Sequence, residues 1–131
     1  MNVEELLEVL RARVPGVAAV YLFGSSEHDT EHAESDIDLA VLAASKLAPA
    51  FRWELQEELA LLAHRAVDLV DLGSASTVMR MQVVSTGRLL FSTDRAVVDR
   101  FEMLVLADYS RLNEERAAIL DDARRRGRIH A

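Results

Sequence analysis

Three observations predict a mixed α/β (α+β) fold, with a small mixed sheet flanked by helices and a long helix at the C-terminal end. Three short runs rich in β-formers, Val17–Phe23, Asp36–Leu42 and Ala66–Leu72, read as strands. Stretches with apolar residues at helical spacing stand around and between them. From Asp94 to about Arg126 the helical pattern continues unbroken. That alternation belongs to mixed α/β or α+β domains, and 131 residues suit a single domain spanning 1–131.

The elements follow in order. Asn2 with Glu5 three residues on forms a capping-box pattern, and Val3, Leu6, Leu7 and Leu10 make the apolar stripe of a first helix ending before Pro15-Gly16. Val17–Phe23 is apolar enough for a buried strand, and Gly24 stands where the chain must turn, with Ser25-Ser26 able to open a short helix. His28–Ser35 has no apolar periodicity and is expected to be a mobile surface loop. In the second strand, Asp36 and Asp38 fall on one face, while Ile37 and Leu39 point into a core. Pro49 suits the first turn of the next helix, whose stripe is Phe51, Leu55, Leu59 and Leu62, with Phe51 and Trp53 expected to serve packing. After the third strand a short helix is expected over Ser76–Ser85, stopped by Gly87, then an extended piece over Arg88–Phe91. The long final helix carries Val97, Val98, Phe101, Leu104, Val105, Leu112, Ile119 and Leu120 on one side, and its late arginines suit the helix dipole.

Composition narrows the function classes. The net charge is −7, and residues 1–72 hold 14 acids against 5 bases. An acidic surface lacks the basic footprint of non-specific duplex binding, so direct nucleic-acid binding is not expected. There is no cysteine, which excludes disulfides and thiolate metal sites. No apolar run approaches the roughly 18 residues that span a bilayer, and MNVEELLEVL is unlike a signal or transit peptide. A cytoplasmic protein without membrane association is the expectation.

The chemistry concentrates between Gly24 and Asp38. Two carboxylates on one strand face, roughly 7 Å apart along the strand, suit a hard divalent cation. Because the strand is otherwise apolar, its acids are expected to face a cleft or a ligand rather than bulk solvent. Gly24 permits close backbone approach. The N–H groups after it, with the Ser25 hydroxyl, offer donors to a phosphate oxygen. A second metal ion that activates an attacking hydroxyl needs a third carboxylate. The third strand offers Asp68 and Asp71, which differ by three and so lie on opposite faces. Asp68, flanked by Val67 and Leu69, is the candidate; Asp71 is expected to face solvent or to cap the next helix. His64, at a helix end, reads as a dipole partner rather than a ligand.

Gly-Ser, ten residues, then Asp-x-Asp, followed by a strand-borne acid, resembles the polymerase-β-like nucleotidyltransferase superfamily. FGS at Phe23–Ser25, SDIDLAV at Ser35–Val41, VDLVDL at Val67–Leu72, GRLLF at Gly87–Phe91 and RFEMLVLADYSRL in the last helix are similar to the minimal nucleotidyltransferases, in particular the MntA-type antitoxins of HEPN toxins. The resemblance implies the polymerase-β-like fold and transfer of AMP from ATP to a tyrosine hydroxyl on a HEPN ribonuclease toxin. It implies Asp36, Asp38 and Asp68 as the catalytic and Mg²⁺-binding set, with two ions, and Gly24, Ser25 and Ser26 as the triphosphate grip. Two features depart from many relatives. Glu27, Asp29, Glu31 and Glu34 stand where an arginine is common, which disfavours a triphosphate unless they turn outward. No added helical domain holds an acceptor, as expected when a separate protein presents it. Alternatives from other classes are a nucleotidyltransferase acting on a small molecule of the aminoglycoside kind, and an antitoxin that acts by binding alone.

Overall fold

A computed structural model of the chain describes residues 3–24 and 36–130, with side chains to residue 127. The Asn2 cap, the helix start at Ser25-Ser26 and the loop over His28–Ser35 lie outside the described residues. The elements are α1 (Val3–Arg13), β1 (Val17–Phe23), β2 (Ile37–Ala43), α2 (Pro49–Ala63), β3 (Val67–Asp71), α3 (Thr77–Thr86), β4 (Arg88–Ser92) and α4 (Arg95–His130). The strands form one mixed sheet in the order β3-β2-β1-β4. β1 is antiparallel to both β2 and β4, whereas β2 and β3 run parallel.

The period-2 pattern of the strands sorts their side chains onto two buried faces, each covered by helices. On one face Val20, Leu22, Ile37, Leu39, Val41 and Leu69 pack against Leu6 and Leu10 of α1 and Leu55 and Leu59 of α2. On the other, Ala19, Tyr21, Phe23 and Ala40 meet Val83 of α3 and Val98 of α4. Fully burying one such aliphatic side chain is worth about 1.5–3 kcal/mol, so the apolar runs alone account for the three layers. The free edge of β3 is covered by α2. Arg52 donates to the Leu69 carbonyl at 2.8 Å, and the Leu69 N–H donates to Oε1 of Gln56 at 2.9 Å. Both outward backbone groups of Leu69 are thereby satisfied, which blunts an edge open to pairing with another chain.

The helix ends follow local chemistry. Pro49 sits in the first turn of α2, and His64 stands at the other end of that helix as its C-cap, with φ 54°. Ser76 caps α3 by accepting from the Met79 N–H. The Tyr21 hydroxyl, inside the second core, donates to Oε1 of Glu102 at 3.0 Å and ties α4 to the sheet. Burial, and then the bond to the Glu102 carboxylate, push the phenol far above its usual range.

Two packing expectations need correction. Trp53 is 56% exposed and does not serve the core, because its position on α2 faces away from the Leu55–Leu59 stripe. On α4, Val98 and Val105 are the buried members of the stripe, while Leu104, Ile119 and Leu120 are exposed. The helix outruns the sheet that its first turns cover, so the same stripe continues past the body. Its distal turns are laced instead by Arg125–Asp121 at 2.8 Å and Arg126–Asp122 at 3.2 Å, exposed pairs worth about 0.3–0.5 kcal/mol each.

Candidate active site

The candidate residues meet at one end of the sheet, where β1 finishes and β2 and β3 begin. Phe23 pairs with Asp38, so Gly24 leaves β1 directly beside that acid. Asp38 in turn pairs with Asp68 across the parallel β2–β3 ladder. Parallel partners present their side chains to the same face, about 4.8 Å apart at the backbone. Gly24, Asp38 and Asp68 therefore form a row across three adjacent strands. Asp36 lies one residue before β2 and is exposed. Ser25 and Ser26 lie outside the described residues.

The reason for glycine at position 24 is visible in this row. Its φ is +73°, a left-handed conformation that side chains rarely adopt. A Cβ built there would collide with Oδ2 of Asp38 and stand 3.2 Å from its Cγ. The backbone approaches the carboxylate so closely that only glycine fits.

The electrostatics also tie the acids together. The Asp38 carboxyl is held above its ordinary value, first by burial and then by the negative charges of Asp68 and Asp36. Like charges concentrated in a partly dry site are a cost in the absence of a cation and an asset in its presence. Among the described residues, no three His, Cys, Asp or Glu side chains converge closely enough to hold a metal ion by themselves. The donor chemistry nevertheless fits Mg²⁺, which takes one or two carboxylates and fills its other positions with water and substrate phosphate oxygens.

Asp71 has a different place from the one expected. It neither faces solvent nor caps α3, since its side chain is only 4% exposed. One carboxylate oxygen accepts from the Leu47 N–H at 2.9 Å and the Ser74 hydroxyl at 2.8 Å, and the other accepts from the Gly73 N–H at 3.0 Å. Three residues beyond Asp68, it points to the opposite face and locks the turn between β3 and α3. Asp68, by contrast, is exposed at the row.

A cavity of about 440 Å³ opens beyond Asp68, along the edge of β3 between α2 and the start of α3. Arg52 and Met79 contribute to its wall, and neither stands out in the sequence as more than a helix residue. The i, i+4 spacing of Arg52 and Gln56, bonded to one another at 3.0 Å, was the available sign of a brace.

Comparisons with known proteins identify relatives of the whole chain. The model of the family described as polymerase beta, nucleotidyltransferase matches residues 4–96. The chain is 43% identical over 122 residues to the protein adenylyltransferase MntA of Shewanella oneidensis, a match covering 93% of this chain and 87% of that relative. It superimposes with a TM-score of 0.85 on a toxin–antitoxin crystal structure with AMP-PNP, at 43% identity over 94% of this chain and 98% of that one. A complex of tri-AMPylated Shewanella oneidensis HEPN toxin with its MNT antitoxin gives a TM-score of 0.78 at 40% identity, covering 92% and 93% of the two chains.

Proposed function

The chain belongs to the polymerase beta nucleotidyltransferase family, and from that premise we propose that it is a Mg²⁺-dependent protein adenylyltransferase. It moves AMP from ATP to a tyrosine hydroxyl of a cognate HEPN ribonuclease toxin and thereby neutralises the toxin. The observation that carries this reading is the row of Gly24, Asp38 and Asp68 across neighbouring strands, in a chain 43% identical to a protein adenylyltransferase. ATP as the donor and a ribonuclease as the target both suit a cytoplasmic site of action.

In this mechanism the Gly24 backbone admits the triphosphate close to the Asp38 carboxylate, and Ser25 and Ser26 add donors to its oxygens. Asp36 and Asp38 would hold Mg²⁺, with Asp68 completing the set for a second ion, and the metal would supply neutralisation of phosphate charge and of the pyrophosphate leaving group. Asp68 takes the proton of the acceptor hydroxyl. The acceptor oxygen bonds to the α-phosphorus, the bond from that phosphorus to the bridging oxygen breaks, and pyrophosphate departs. Positioning and charge neutralisation supply the rate, without a covalent enzyme intermediate.

The test incubates the purified protein with labelled ATP, Mg²⁺ and a purified HEPN ribonuclease toxin. Label on a toxin tyrosine, lost in an Asp36→Ala/Asp38→Ala variant, is the expected result. Toxin inhibition by that variant without any label transfer would establish neutralisation by binding alone. Label arriving only on an aminoglycoside would make the acceptor a small molecule.

A further inference from the structure

The cavity beyond Asp68 has no part in the roles assigned so far, and we propose that it is the subsite for the acceptor side chain, shaped for an aromatic ring bearing the hydroxyl. This rests on the nucleotidyltransferase reading and adds to it where the acceptor enters and what selects it. In an in-line transfer, the attacking and leaving oxygens stand on opposite sides of the phosphorus. With pyrophosphate retained at the Gly24 end, the acceptor must come from the Asp68 end. The nucleoside leaves the phosphorus through an equatorial oxygen, to the side of that line, and so does not compete for this space. Of the row, Asp68 alone lines the cavity, which extends along edge strand β3 to Asp71, with β2 standing between it and the Gly24 end of β1.

Its chemistry favours a phenol over an aliphatic alcohol. The volume, about 440 Å³, falls within the roughly 300–1,000 Å³ of ligand pockets. Leu69, Val70 and Met79 supply apolar wall, and the polar residues are Asp68, Arg52, Ser76, Ser74 and Asp71, the last with its carboxylate already engaged by the donors of Leu47, Gly73 and Ser74. The Arg52 guanidinium is held by the Leu69 carbonyl at 2.8 Å and by Gln56 at 3.0 Å. A cation fixed in advance at an apolar wall attracts an aromatic ring at little further entropic cost. Met79 adds a polarisable thioether, which also makes favourable contacts with rings. The edge is closed to strand addition at Leu69 by the same Arg52–Gln56 pair, so the acceptor enters as a side chain rather than as an added strand.

Two measurements separate this proposal from the reading beneath it. In the first, N-acetyl-tyrosinamide and N-acetyl-serinamide are titrated into the full chain, and the methyl signals of Val70 and Met79 are followed by NMR. The tyrosine amide is expected to shift both, and the serine amide neither. Identical shifts from both amides, or no shift from either, overturn the proposal whether or not the protein transfers AMP. In the second, Met79→Trp fills the cavity and Arg52→Met removes the cation. Each is expected to raise KM for the toxin about tenfold and to leave the Kd for Mg²⁺·ATP within twofold. A loss of ATP affinity with an unchanged toxin KM would assign the cavity to the nucleoside instead. If the wild-type protein transfers no label at all, the adenylyltransferase reading fails, and the amide titration alone decides the subsite.

Discussion

Asp68 and Asp71 are three residues apart on one short strand, yet they live in opposite chemical worlds. Asp68 stands exposed beside Asp38, and their charges repel. Asp71 is buried and accepts three hydrogen bonds from Leu47, Gly73 and Ser74. The pleat assigns each to its face, and the neighbours do the rest. An acid that has company of its own sign and space in front of it is poised for a cation. An acid ringed by donors is part of the scaffold. Burial by itself would have chosen the wrong one.

The comparison is broken most severely at the row. Asp38→Asn is expected to lower AMP transfer by roughly a thousandfold, since it removes charge where phosphate charge must be neutralised. The same variant is expected to melt higher than wild type by a few degrees in metal-free buffer at neutral pH. The sign follows from the raised folded-state pKa of Asp38. A carboxyl with a raised pKa adds stability below its unfolded value and loses that increment as pH climbs through the folded value. The gap in Tm between variant and wild type should therefore shrink as pH falls toward the ordinary aspartate range. A variant that melts lower than wild type at neutral pH would mean that Asp38 is a structural acid like Asp71.

At the other end of the comparison, Asp71→Asn presents an amide donor to a site built of donors. It is expected to cost about 3 kcal/mol, or roughly 10 °C in Tm, measured by calorimetry. An unchanged Tm would remove Asp71 from the scaffold. Gly24→Ala sharpens the row from its third member. The left-handed φ and the collision with Asp38 together should cost about 1–3 kcal/mol of stability and weaken Mg²⁺·ATP binding as well, read by denaturation and calorimetric titration. The smallest expected effect is that of Tyr21→Phe. Losing the bond to Glu102, whose carboxylate can turn to water, should cost about 1 kcal/mol and leave ATP affinity unaltered.

Much of this was legible in the chain. Each apolar run became a strand within a residue or so of its expected limits, because period-2 burial is written directly in which residues are apolar. Asp36–Leu42 became Ile37–Ala43, and Arg88–Phe91 gained Ser92. Strand parity puts Asp68 and Asp71 on opposite faces, so only one can join Asp38; the flanking Val67 and Leu69 point to Asp68, and the β2–β3 register sets Asp68 beside Asp38. The role of Asp71 was not legible, because its donors include Leu47, 24 residues away in sequence. The exposure of Trp53 and of the distal α4 stripe was hidden for a related reason. Periodicity says which residues share a side of a helix, not whether anything covers that side.

The sequence by itself determined the fold class, the strands and the family of the chain. These depend on residue spacing, and spacing survives without coordinates. Only the tertiary structure decided that β3 lies against β2 in a register that sets Asp68 beside Asp38, that glycine 24 is required by the carboxylate of the next strand, and that a cavity opens beyond Asp68. Those are contacts between segments distant in the chain, and their positions depend on how the two buried faces of the sheet pack against their helices.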